Sequence, residues 1–299
     1  MAGSSRRPGP DLVVDADPVS RSNDAGSQLS RSNLALRAVS AAVLAPLAIL
    51  SAYVDGWAFA LFWGIAAIIV LWEWTTLVAG PAYRLMFSSC GGAIAASGFV
   101  AWLGRPITAL LMVGLGALAG AIFAPREQRL WVTAGIGYAG IMLLSPMFLR
   151  ADSGFGFAVI VVLFAVVWTT DILGYFAGRA FGGPKLLPAV SPKKTWSGAI
   201  AGGLGAVIAA LIVMNLFGSF NKLAIALMAL LLSAAAQLGD LLESWVKRQF
   251  GAKDAGHLIP GHGGVMDRLD GFWAAAFIAC LIGLSRGGFA APGRGLLVW

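Results

Sequence analysis

The sequence predicts an all-α fold, a polytopic membrane protein with about nine transmembrane helices. Three observations carry that prediction. The 299-residue chain is 59% hydrophobic and only 12% charged, with a mean hydropathy of +0.82, whereas soluble domains carry about 25% charged residues. Apolar runs of the roughly 20 residues needed to cross hydrocarbon recur along its length. The connections between those runs are short, so neighbouring helices should be antiparallel.

Taken in order, residues 1–33 are rich in Ser, Asp, Arg and Pro and lack periodicity, which reads as a disordered cytoplasmic tail. No apolar core follows within the first residues, so this stretch does not read as a signal peptide. Apolar runs at about 35–54, 57–79, 85–103, 106–124 and 129–149 form an N-terminal transmembrane region, 34–154. Runs at about 156–178, 197–217, 221–246 and 271–289 belong to a C-terminal region, 155–299, interrupted by two long polar connections, 179–196 and 247–270.

Alternating these spans across the bilayer places sixteen of the 21 Lys and Arg residues on one side. Basic residues accumulate on cytoplasmic loops, so the N-terminus and both polar connections are expected in the cytoplasm and the C-terminus outside. The net charge of +7 then needs no nucleic-acid partner. Cys90 and Cys280 lie inside apolar runs with no disulfide or zinc spacing and read as lone buried thiols.

The two connections gather the chemistry. On a helix, Asp240, Ser244, Lys247 and Arg248 follow i, i+4, i+7 and i+8 and share a face with Glu243. A snorkelling, charge-paired helix end accounts for Lys247 and Arg248. It fits Asp240 less well, because a carboxylate deeper in a span is costly without a cation. Then come Lys253-Asp254, Gly256-His257 and Pro260-Gly261-His262-Gly263-Gly264-Val-Met-Asp267-Arg268-Leu-Asp270. Glycines such as Gly263 and Gly264 let backbone amides approach phosphate oxygens. Carboxylates without supporting cysteines suit a hard ion such as Mg²⁺. Asp240 and Asp267 could share one or two such ions, while the neighbouring cations hold phosphate charge. Asp270 reads either as a further acid or as a helix cap, and His262 either as a phosphate contact or as part of a turn.

The other connection carries Arg179, Gly182, Gly183 and Lys185, then Ser191-Pro192-Lys193-Lys194-Thr195, again glycines with cations. Asp171 lies inside the sixth span, with Arg179 two turns on as its candidate partner. Glu73, in Trp72-Glu73-Trp74, lies inside the second span, where its apolar sequence neighbours offer no partner. Neither GxxxxGK[ST] nor a strand-linked GxGxxG occurs, so a P-loop or Rossmann reading has no support.

The stretch from Ser244-Trp-Val-Lys247-Arg248 through Lys253-Asp254 to Asp267-Arg268-Leu-Asp270 resembles the signature of the phosphatidate cytidylyltransferase family, bacterial type. Gly178-Arg179, Phe181-Gly182 and Ser191-Pro192-Lys193-Lys194-Thr195 also resemble it, and the likeness extends over about 168–271. Two positions depart: Ser197 stands where the family commonly has an acid, and Ile172-Leu173 follow Asp171 where small or hydroxyl residues are usual.

The resemblance implies transfer of a cytidylyl group from CTP to phosphatidic acid, giving CDP-diacylglycerol and pyrophosphate. It implies a metal site at Asp240 and Asp267 holding one or two divalent ions, or a divalent ion beside a monovalent one. Lys193, Lys194, Lys247, Arg248, Lys253 and Arg268 are the implied phosphate contacts, with Asp254 a ligand or a supporting acid. Arg179, Ser244, His262, Gly263, Gly264 and Asp171 complete the expected substrate site. A homodimer in a bacterial plasma or inner membrane is the implied setting. A CTP-dependent lipid kinase or another lipid-phosphate nucleotidyltransferase is the nearest alternative. A transporter of anionic solutes is less well matched, because the cations cluster at one edge and no repeat is visible.

Overall fold

The computed structural model describes residues 42–79, 84–256, 258 and 263–299. The tail at 1–33, His257 and His262 lie outside the described residues.

Ten helices and one small hairpin make up the described chain. They are α1 (Ala42–Val54), α2 (Gly56–Ala79), α3 (Arg84–Trp102), α4 (Pro106–Phe123), α5 (Arg129–Arg150), α6 (Gly156–Phe181), β1 (Lys185–Leu187), β2 (Ser191–Thr195), α7 (Trp196–Phe217), α8 (Lys222–Gln249), α9 (Met266–Gly287) and α10 (Pro292–Leu297). Each of the nine predicted spans overlaps one of α1–α9 over its described residues. Seven helices are long and apolar enough to span a membrane, and 42–54 and 90–102 are shorter apolar helices. The chain is therefore a multi-pass membrane protein. Two features were not predicted. α10 has six residues, too few to register as a hydropathy peak. The polar connection 179–196 contains an antiparallel hairpin pairing Lys185 with Thr195 and Leu187 with Ser191.

Local chemistry sets the breaks. Asp55 and Gly56 adopt positive φ (64° and 54°) and separate α1 from α2. Pro106 opens α4, where its missing N–H costs no helix bond. Gly182 and Gly183, also at positive φ, end α6 and turn the chain into the hairpin. Thr195 caps α7 by accepting from Gly198 N, and Asn221 caps α8 by accepting from Leu223 N and Ala224 N.

Packing follows small residues. α6 and α7 meet through Gly174 and Gly178 on one side and Gly198 and Gly202 on the other. A Cβ on Gly198 would come 2.5 Å from Gly174 O, and one on Gly202 would come 2.7 Å from Thr170 O. Such spacing brings helix backbones together where hydrocarbon offers no hydrophobic drive. Inside the bundle, Trp63 of α2 and Phe164 of α6 stack on Phe272 of α9 at 4.9 and 5.0 Å. Each pair adds about 0.5–1.5 kcal/mol beyond burial. Outward, α4 and α7 present Leu111, Leu115, Leu118, Leu204, Ile208 and Ile212, each more than half exposed, as a lipid-facing surface requires.

Opposite the polar connections, Arg150 bonds Ala52 O at 2.6 Å and pairs with Asp55 at 3.0 Å. Asp152, buried, accepts from Gly154 N and Phe155 N at 3.0 Å and from Arg294 N at 2.8 Å, which ties α10 to the start of α6. Asp152→Ala strands three amides, so we expect a stability loss of about 2 kcal/mol or more. Thermal unfolding in detergent should show it, with turnover of the folded fraction unchanged because the position is remote from the acids described next.

Candidate active site

α8 brings Asp240 and Glu243 onto one face, and a glycine brings a second helix to them. A Cβ on Gly239 would lie 2.5 Å from Asp270 O and 2.6 Å from Ala274 Cβ of α9. With no side chain there, the α8 and α9 backbones cross closely and Asp270 arrives beside Asp240. One oxygen from each of Asp240, Glu243 and Asp270 lies within 4.8 Å of the others. At an effective dielectric near 20, two unit charges that close repel by about 3–4 kcal/mol. The cluster therefore needs cations.

Protein cations meet part of that need. Lys194 of β2 forms an ion pair with Asp240, so the hairpin reaches across to α8. Lys247, one turn beyond Glu243, lies between Glu243 at 2.7 Å and Asp267 at 2.6 Å. Asp267, in the first turn of α9, also accepts from Ala255 N at 3.0 Å and Gly264 N at 2.8 Å. It thereby ties Ala255 and Gly264 to the start of the helix. Ser244 donates to Asp240 at 3.3 Å.

A divalent cation fits what remains. The Glu243 side chain is fully buried, and its Oε1 meets no hydrogen-bond donor, an arrangement that is costly unless a cation is bound. The donors are carboxylate oxygens, the set that Mg²⁺ prefers. Asp240, Glu243 and Asp270 are the residues that would hold it. Asp267, expected with Asp240, is not among these three and bonds Lys247 and two amides in this structure. Glu243 was expected only as a neighbour on the same face, and Asp270 stands a turn inside α9 rather than at its cap. Each lies one helical turn from an expected acid, and that spacing was the signal in the sequence.

The other expected residues distribute around this centre. Asp171 of α6 stands within electrostatic range of Asp240, Lys194 and Arg268. Its expected partner Arg179 instead donates to Tyr175 OH at 3.3 Å, one turn back on α6. Arg248 is exposed and donates to Ala252 O at 3.2 Å. Lys193, Lys253 and Asp254 are exposed on the hairpin and loop. Gly263, at φ +87°, and Gly264 lead into α9. Beside Gly239, an apolar groove of about 340 Å³ lined by Leu238, Leu242, Trp273 and Phe277 runs between α8 and α9.

Residues 35–285 match the family model described as the cytidylyltransferase family. The chain belongs to that family. Its relatives include the phosphatidate cytidylyltransferase of Brucella abortus, 46% identical over 257 residues that cover 84% of this chain and 94% of the relative. The phosphatidate cytidylyltransferase of Haemophilus influenzae is 33% identical over 254 residues, covering 73% of this chain and 86% of the relative. That of Rickettsia typhi is 37% identical over 169 residues, 54% and 73% of the two chains. The resemblance read from the 244–270 motif is borne out, and the chain is a membrane nucleotidyltransferase.

Proposed function

We propose that this cytidylyltransferase joins CTP to phosphatidic acid, forming CDP-diacylglycerol and pyrophosphate for phospholipid biosynthesis. The observation that carries the reading is the convergence of Asp240, Glu243 and Asp270 with Lys194 and Lys247 at one end of a membrane bundle. A lipid-phosphate oxygen forms a bond to the α-phosphorus of CTP as the bond to the β-phosphate bridging oxygen breaks. The attacking group is already an anion, so no strong general base is needed. The difficulty is bringing two anions together, which cations in a low-dielectric site relieve. Bound at the acids, Mg²⁺ supplies neutralisation of the triphosphate and of the leaving pyrophosphate.

In this reading Lys194 exchanges its carboxylate partner for an incoming phosphate, and the exposed Lys193, Arg248, Lys253 and Arg268 are further phosphate contacts. The groove beside Gly239 suits the acyl chains of phosphatidic acid, being lined by apolar residues of α8 and α9. The cation excess in the sequence of the two polar connections supports a cytoplasmic site and N-terminus, with the C-terminus outside. A homodimer is part of this reading but not required by the site, whose groups all come from one copy.

Purified full-length protein in detergent should release pyrophosphate with phosphatidic acid, CTP and Mg²⁺. ATP should not replace CTP, and EDTA should stop the reaction. Release without phosphatidic acid, or phosphorylation of a lipid alcohol, would replace this reading with the kinase or another acceptor.

A further inference from the structure

Glu73 sits in α2, far in sequence from every residue named for the reaction, yet its carboxylate ends at the start of α9. Its Oε1 accepts from Val265 N at 2.9 Å and its Oε2 from Met266 N at 2.7 Å. The first amides of a helix have no partner within it, and Val265, at the cap position, supplies no side-chain bond. Glu73, 1% exposed, takes that role across the bundle. Its negative charge also faces the positive end of the α9 dipole.

Gly256 and Gly264 pack closely on this carboxylate. A Cβ on Gly256 would come 2.7 Å from Glu73 Oε1, and a Cβ on Gly264 would come 2.7 Å from Oε2. Both glycines therefore leave the space that Glu73 occupies. Asp267 binds Ala255 N and Gly264 N of the same loop, while Glu73 binds the next two amides, Val265 N and Met266 N. Met266 directly precedes Asp267, so a shift of the Met266 amide moves Asp267, and Asp267 holds Lys247.

We propose that Glu73 is a positioning residue for the cytidylyl transfer: by fixing the first amides of α9 it sets Asp267, and through it Lys247, beside the acid cluster. The proposal rests on the functional reading above. It involves no contact between Glu73 and substrate.

The test is Glu73→Gln in the full-length protein in detergent, with Glu73→Asp as the second variant should the first not fold. Gln loses the charge and one acceptor, and Asp is too short to reach both amides. A misplacement of about 1 Å can cost roughly 10²-fold in rate. We expect kcat to fall about 10- to 100-fold while KM for CTP and for phosphatidic acid stays within about threefold. Hydrogen exchange at the Val265 and Met266 amides should quicken in the variant, a readout independent of turnover. A folded variant with kcat within twofold of the parent, or unchanged exchange at those amides, overturns the proposal, as does failure of both variants to fold. A parent inactive with phosphatidic acid and CTP defeats the functional reading instead; the exchange measurement then decides whether Glu73 holds the α9 amides, and unchanged exchange still overturns the proposal.

Discussion

Asp240→Asn should lower kcat by about 10³-fold or more, roughly 4 kcal/mol of barrier, with the protein still folded. Asn keeps the size of the side chain and an acceptor for Ser244, which bonds Asp240 at 3.3 Å. It removes one charge from the three-acid cluster and releases Lys194 from its ion pair. Both losses act on the same event, the binding of a cation and phosphate charge at one point. The Mg²⁺ concentration giving half-maximal activity should therefore rise, a change that general loosening of the fold would not produce. Steady-state pyrophosphate release over a Mg²⁺ series measures both effects. Activity within tenfold of the parent at ordinary Mg²⁺ would remove Asp240 from the centre of the site.

Lys247→Met should cost both stability and turnover. The parent ammonium bonds Glu243 and Asp267 at 2.7 and 2.6 Å, and both carboxylates are buried. Met nearly matches Lys in length but carries no charge, so two carboxylates are left facing each other without their cation. Breaking a buried ion pair by removing one partner costs about 3–5 kcal/mol, and here one partner serves two. We expect a marked fall in folded yield in detergent, and turnover of the surviving fraction reduced at least 10²-fold, as for loss of a transition-state donor. Adding Glu243→Gln should restore part of the stability, because one stranded charge disappears, but none of the activity. A single Lys247→Met variant as stable as the parent would mean that the carboxylates take protons instead, and that Lys247 is not the bridge described.

The helices were legible because hydrocarbon imposes one rule on every residue of a span. The hairpin and α10 obey no such rule, being three, five and six residues long. At the site, Asp240 and Lys247 were visible as charges where apolar residues were expected. Their partners were not. Asp240 pairs with Lys194 from a separate element, while Arg179, the nearest cation to Asp171 along the helix, bonds Tyr175, one turn nearer to it. The closeness of Asp270 to Asp240 depends on the missing Cβ of Gly239, a contact between helices that neither helix's own pattern reveals. Glu73 was visible as an oddity without a role, because its partners are backbone amides, which carry no residue identity to search for.

Those amide contacts bear on whether the chain can be divided. A fragment beginning after Arg150 would contain all three clustered acids, the lysines Lys194 and Lys247 that pair with acids of the site, and the hairpin. It would also leave the Val265 and Met266 N–H groups bare at the foot of α9, and expose faces of α9 that α2 and α5 now cover. The half of the chain that holds the acid cluster is thus not an independent unit. α2 supplies the acceptors at the foot of α9 and α5 covers its face, so the residues before and after Arg150 make one packed unit.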